Sequence, residues 1–349
     1  MAVIDSALAF YSDNTSGVAP ELLEAIAQAN APAACKSYGD DPWTQRLDAV
    51  LGSWFGAPVR SFIVTTGTAA NALSLATLCP PWGCVYAHAG AHVVEDECGA
   101  VEFFSAGSRL KLVPGEHGRM TPDCLTAVIE EQPISVHCVQ PAAVTLTQAT
   151  ELGTVYRPDD VAALAAVAHR HGLKLHMDGA RFANALAFLD CHPGDITWRA
   201  GVDVLSFGAT KNGALAAEVV VFFDLQAARD FELRRKRAGH LLSKSRFAAA
   251  QLLAYLETGV WRRNAQHANQ LAQRIAAAAG NHLLHPVEAN EVFLQLGDAA
   301  KARLRGAGFG FYDWGAAASG EARFVTSWNQ DQDGVARLCE ALSRKEAGS

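Results

Sequence analysis

No run of eighteen apolar residues occurs in this 349-residue chain, so no membrane-spanning helix is expected. The opening MAVIDSALAF carries no basic stretch ahead of an apolar one, which argues against a signal peptide, and the chain is read as cytoplasmic. Surplus positive charge is missing too: 29 Lys and Arg stand against 36 Asp and Glu, a formal net charge of −7. Nucleic acid therefore finds no general footprint, and an anionic ligand needs a local site. Eight cysteines form no CxxC pair and sit mostly in apolar stretches such as LATLCPPWGCVYAHA. They read as reduced, buried small hydrophobes rather than a disulfide or zinc framework. The twelve histidines contain no HExxH, and HRH (169–171) falls at a helix end before Gly172, so no metal site is expected.

Half of the residues are hydrophobic, and the length suits two domains or one large domain with an appendage. Residues 1–18 hold a short apolar segment and then YSDNTSG, rich in turn formers, before a helix that starts near Pro20. A Gly-Asp-Asp-Pro turn in SYGDDPWTQRLDAV leads into an amphipathic helix. In FIVTTGTAANALSLATL a β-branched strand passes through Gly67-Thr68 into an Ala- and Leu-rich helix. The free amides and positive dipole end of such a junction suit a phosphate, although the same junction recurs throughout α/β proteins. CVYAHAGAH gives a strand before His92, and residues 105–135 carry helix and turn signals with no nameable chemistry. A strand (144–147), a polar loop and a helix begun by Pro158 and Asp159 follow. Near residue 255 the character changes: a long two-faced helix precedes VFLQL, FGFYD and ARFVTSW, strands that alternate with helices at about 298–306 and 331–345. The expected division is an amino-terminal segment (1–18), a large domain (19–255) and a small α+β domain (256–349).

The stretch from His176 to Lys211 organises the rest. LKLHM (173–177) and VDVLSF (202–207) are strand-like runs separated by an Ala-rich segment of helical spacing, a β-α-β pattern. If the strands are parallel neighbours, Asp178 and Lys211 reach the same crevice at their carboxyl ends. Pyridoxal 5'-phosphate asks for such a pair: an amine to take up its aldehyde and a carboxylate to keep its ring nitrogen protonated. Asp-Gly is also a common turn and a lysine after a strand is often a solvated end, so spacing alone leaves both readings open.

HMDGAR followed by SFGATKNG resembles the threonine aldolase family, its low-specificity L-threonine aldolases most of all, within the β-eliminating lyase group. YSDNTSG, YGDDPWTQRL, TTGTAANALSLA, AHVVEDECGA, TLTQATELGTVY and ARFVTSW extend the resemblance along nearly the whole chain. The resemblance implies an α/β, aspartate-aminotransferase-like fold type I enzyme with a large, mostly parallel sheet and a small carboxyl-terminal domain. It also implies pyridoxal phosphate on Lys211, with Gly67 and Thr68 at its phosphate, His92 stacked on its ring, Asp178 at the ring nitrogen and Arg181 at the ring oxygen. Lys236, from the basic run LRRKRAGH, would approach the phosphate across a subunit interface; by default that run is a solvated helix face. Arg323 would clamp the amino-acid carboxylate, helped by Ser12, with Arg181 next in line and Tyr38 lining the site from a neighbouring subunit.

The implied reaction is reversible cleavage of L-threonine or L-allo-threonine to glycine and acetaldehyde, with tolerance for other β-hydroxy-α-amino acids. His92 is the first candidate for the base that removes the β-hydroxyl proton, and Glu151 and Asp96 are its rivals. Some relatives carry a second histidine where Glu151 aligns, and an aromatic residue where Asp96 aligns. A homo-oligomer, dimer or tetramer, is expected, with neither nucleic acid nor membrane as partner. The alternatives are another pyridoxal phosphate reaction (β-elimination, racemisation or transamination) and a catalytically silent binding protein.

Overall fold

The computed structural model describes residues 5–343. The first four residues of the expected amino-terminal segment and the last six of the expected small domain lie outside the described residues. Strands β1 (Arg60–Val64), β2 (Gly83–His88) and β3 (Arg109–Val113) come first, then a short hairpin of β4 (Gly115–Glu116) and β5 (Arg119–Met120). They are followed by β6 (Gln140–Thr147), β7 (Lys174–Gly179), β8 (Val204–Gly208) and β9 (Glu218–Phe222). Seven of these form one sheet in the order β1-β9-β8-β7-β6-β2-β3. The run β3-β2-β6-β7-β8 is parallel, while β9 pairs antiparallel with both β8 and β1. The central strands therefore open their carboxyl ends onto one edge, the edge at which α/β sheets hold ligands.

Alternation along the strands sorts side chains onto two faces. Ile63, Tyr86, Leu146, Met177, Phe207 and Val221 pack into a core shared with helices Pro42–Phe55, Pro158–Arg170 and Arg246–Glu257. Phe62, Val64, Val204, Val220 and Phe222 face the other way, against helix Gly67–Leu78, which is buried from Ala69 to Ala76. Asp178, one residue past Met177, points to this second face, beneath that helix.

A second core joins the carboxyl-terminal sheet, β10 (Glu291–Gln295), β11 (Tyr312–Trp314) and β12 (Glu321–Val325), to helices Val260–Ala279 and Gln332–Ser343. Leu8 and Phe10 are buried in this same core, and Ala9 bridges Gly310, so the amino-terminal segment docks on the small domain. Helix Val260–Ala279 contributes Val260 and Ala265 to the first core and Leu271 and Ile275 to the second, so it spans the join.

Three details depart from expectation. Arg109–Val113, read as helix and turn, is an edge strand paired to β2 alone, with Arg109 and Lys111 on one face and Leu110 and Leu112 on the other. Only Cys79 and Cys84 are buried; Cys98 is exposed and the other five lie between. Arg235, read as part of a solvated face, is buried beneath Phe62 and donates to the Ile63 carbonyl at 3.2 Å. No helix among the described residues is long and apolar enough to cross a membrane.

Candidate active site

Five strand ends converge on one cavity of about 340 Å³, within the size range of small-ligand sites. β7 supplies Asp178, and the turn after β8 supplies Thr210 and Lys211. The loop after β6 brings Glu151, the turn after β2 brings His92, and the junction after β1 brings Thr65 to Thr68. Asp178 and Lys211 therefore meet in one pocket because β7 and β8 are parallel neighbours, with Asp178 paired to Ser206 in register.

Thr66 caps helix Gly67–Leu78, its hydroxyl accepting from the Ala69 amide at 3.1 Å. The amides of Gly67 and Thr68 come too early in the helix for intrahelical partners, and they carry the positive end of its dipole. Gly67 and Thr68 both line the cavity, and a Cβ built on Gly67 would meet nothing within 4 Å, so the turn borders open space. An anion fits there. One turn on, Asn71 donates to Asp178 Oδ2 at 2.7 Å and to Glu97 Oε1 at 2.8 Å, while the Ala180 amide donates to Asp178 Oδ1 at 3.0 Å. Asp178 is 4% exposed, and these donors hold its carboxylate in place. Beneath it, His176 lies between Thr145 (2.8 Å) and Ser206 (2.9 Å), and burial lowers its pKa to about 4, leaving the ring neutral.

His92 lines the cavity with Nδ1 2.8 Å from Glu97 Oε1. That hydrogen bond raises the ring's affinity for a proton, and burial in turn pushes the Glu97 carboxyl up. His88, four residues earlier, turns instead to the Gly115 carbonyl at 3.1 Å. Glu151 Oε1 accepts from the His92 amide and from the Thr147 hydroxyl, each at 2.7 Å, and burial pushes its carboxyl up to about 7. Glu218 at the start of β9 is likewise pushed up to about 7 by burial. Potential ligand atoms of His92, Glu97 and Asp178 lie within 4.8 Å of one another. The Asn71 amide hydrogens point at both carboxylates of that set, which suits a hydrogen-bonded relay and opposes a cation.

Arg181 lines the cavity but has its donors engaged: Nε and one terminal nitrogen meet Asp13 at 2.7 and 3.1 Å, and the other meets Glu291 Oε2 at 3.1 Å. Burial acts to raise the Asp13 carboxyl, yet the Arg181 charge, Lys211 and the Arg181 and Asn290 hydrogen bonds outweigh it and leave the pKa below the usual range. Arg323 stands over the Tyr312 and Trp314 rings, at 5.5 and 4.9 Å, and approaches Glu291 Oε1 only to 4.0 Å. Its buried Nε has no hydrogen-bond partner among the described residues.

The sequence-derived set is thus partly assembled. Lys211, Asp178, His92, Glu151, Gly67, Thr68 and Arg181 line one cavity. Asp96 is exposed and outside the lining; the one-turn helix His92–Glu95 ends so that the next residue, Glu97, is the acid turned inward. Ser12 does not line the cavity, whereas Asn14 does, because Ser12 caps the turn that carries Asp13 and Asn14. Arg323 and its neighbour Glu291, 4.0 Å apart, are both outside the lining. Tyr38 is 52% exposed and Lys236 is exposed; the two pair with each other, Nζ 5.1 Å from the ring, away from this chain's own cavity. Asn71, Glu218 and Glu291 lie outside the expected set, whereas Asp13 and Glu97 stand in YSDNTSG and AHVVEDECGA, two of the stretches that carry the resemblance. Asn71 left a signal, a lone amide in a helix rich in Ala and Leu, and Glu218 and Glu291 did not.

The donor set fits pyridoxal 5'-phosphate: an amine, a carboxylate fixed by amide donors, an imidazole and open helix amides surround one space. The chain is 46% identical to the low specificity L-threonine aldolase of Pseudomonas aeruginosa over 95% of this chain and 96% of that protein. A protein of the same description from a Pseudomonas species is 45% identical over 96% of both. Among solved structures, the Leishmania major threonine aldolase matches with a TM-score of 0.90 at 26% identity, covering 96% of this chain and 98% of that one. An aspartate aminotransferase from Rhodobacter sphaeroides, 16% identical with a TM-score of 0.70 over 96% of this chain and 90% of that one, shares the fold. The beta-eliminating lyase family model matches residues 9–299, and the chain belongs to that family, with the fold type I architecture of pyridoxal phosphate enzymes.

Proposed function

We propose that this chain cleaves L-threonine and L-allo-threonine reversibly to glycine and acetaldehyde, and accepts other β-hydroxy-α-amino acids, with pyridoxal 5'-phosphate as cofactor. The observation that carries the reading is the shared cavity of Lys211 and Asp178, in a chain 46% identical over 95% of its length to a low specificity L-threonine aldolase. When bound, the cofactor supplies an aldehyde that takes up an amino group covalently and a protonated ring that draws electrons from the bond to be broken.

The chain's own residues do the rest. Lys211 Nζ would be the amine that holds the cofactor between turnovers, and the Gly67 and Thr68 amides would hold its phosphate. Asp178, its carboxyl group held by Asn71 and the Ala180 amide, would keep the ring nitrogen protonated. His92, which lines the same cavity, would offer its ring to the cofactor. Cleavage of Cα–Cβ requires removal of the β-hydroxyl proton, and a carboxyl poised near 7 suits that task at neutral pH. We therefore rank Glu151 beside His92 as the base, and drop Asp96, which faces solvent. Arg323, with an unpaired Nε and a planar fork, takes the α-carboxylate. Tyr38 and Lys236 are offered outward, and we infer that they complete the cavity of a neighbouring subunit in a cytoplasmic homo-oligomer.

Incubation of the purified protein with L-threonine tests the reading. Acetaldehyde and glycine in equal amounts are expected; 2-oxobutanoate with ammonia would mean β-elimination instead.

A further inference from the structure

Glu291 is 1% exposed, and neither of its oxygens makes a hydrogen bond that satisfies it. It sits at the start of β10, opposite Val325 in register, so it shares a sheet face with Arg323 on β12. One oxygen is 3.1 Å from Arg181 and the other 4.0 Å from Arg323. Asp13, on the amino-terminal turn, holds Arg181 from the other side, and Lys211 is the next cation. Glu151, on the loop after β6, adds its field to Arg181. Two carboxylates, Asp13 and Glu291, therefore balance two guanidiniums, Arg181 and Arg323, before any substrate enters. A third carboxylate on Arg323 breaks that balance.

We propose that Glu291 is a proton-coupled positioning residue of the substrate clamp: it neutralises Arg323 in the empty site and takes one proton from solvent when the α-carboxylate of an amino acid replaces it on that arginine. The proton returns to solvent when the ligand leaves. Of the two acids, Glu291 is the one that yields, because Asp13 accepts two Arg181 bonds and one from Asn290, while Glu291 has no such support. A like charge arriving within a few ångströms favours the neutral carboxyl, and burial already raises this one. The proposal rests on Arg323 as the carboxylate clamp.

The test is the proton stoichiometry of binding to the holoenzyme, measured by calorimetry in buffers of different ionisation enthalpy, between about pH 6 and 9. Glycine is compared with methylamine, which carries the amine without the carboxylate. The wild type should take up about one proton more with glycine than with methylamine in part of that range, and Glu291→Gln should lose the difference. Glu291→Asp, which keeps the carboxylate, should retain it, and it carries the comparison if Glu291→Gln does not fold. Equal uptake with both ligands in the wild type, or a difference that survives in Glu291→Gln, overturns the proposal. Arg323→Ala separates the two claims. Unchanged glycine affinity there means that the clamp reading itself has failed, and the proposal with it; weakened glycine together with equal wild-type uptake means that Glu291 alone was misread.

Discussion

The carboxylate of Glu151 accepts the backbone N–H of His92 at 2.7 Å, so the two contenders for the catalytic base are built into a single unit. Substituting either one disturbs the other, and the contrast between side-chain chemistry and backbone support separates them. Glu151→Gln keeps an acceptor for the His92 amide while removing the base, whereas His92→Ala keeps the amide and the glutamate. If Glu151 is the base, Glu151→Gln lowers threonine turnover by roughly 10²–10⁴ and His92→Ala is milder. Steady-state rates of both variants decide, and the reverse order returns the role to the imidazole.

The pH profile gives an independent reading. Burial raises the Glu151 carboxyl to about 7, so its basic form accumulates as pH rises through that value and is lost below it. Threonine turnover should climb across that interval, and Glu151→Gln should flatten the limb. Glu218 is raised to about 7 as well but stands beside Thr210, and Glu218→Gln should keep the climb. A limb that vanishes in Glu218→Gln and survives in Glu151→Gln would reverse the assignment.

Glu97 supports the proton on His92, so Glu97→Gln should lower the imidazole's titration midpoint. The sign follows from the contact: a carboxylate favours the charged ring, and an amide does not. Proton NMR of the His92 ring signals in the two proteins measures it. An unmoved midpoint would mean that the pair is structural only.

Arg323→Ala should weaken glycine and threonine alike, by at least about thirtyfold, since truncating one member of a buried charge pair costs about 2–5 kcal/mol. Arg323→Lys should recover part of this, because an ammonium lacks the bidentate fork. Cofactor binding should persist in both. Glycine titrations followed by cofactor absorbance provide the check, and full affinity in Arg323→Ala would move the carboxylate elsewhere.

Much of this was legible in the sequence, for physical reasons that differ by residue. Asp178 and Lys211 each end a short apolar run, so strand periodicity alone puts both at one sheet edge once the strands are parallel. Gly67 and Thr68 are equally local, a strand turning into a helix. The fold class followed from the same periodicity together with the family motifs. Illegible were choices of rotation and of tertiary pairing. Which of Glu95, Asp96 and Glu97 turns inward depends on where a single helical turn ends. Asp13, Arg181, Glu291 and Arg323 come from four distant segments that only the docking of the small domain brings together.

In the proposed function a single amine, on Lys211, holds the cofactor in the cavity that Asp178 also lines. Borohydride reduction of the holoenzyme, followed by proteolysis and mass mapping, fixes the cofactor on whichever lysine carries it. The expected result is pyridoxyl modification on the peptide containing Lys211, with Lys211→Ala colourless and inactive, and with Asp178→Asn still modified at Lys211 but slow. Modification of another lysine in the wild-type protein, or a yellow and active Lys211→Ala, would contradict the account.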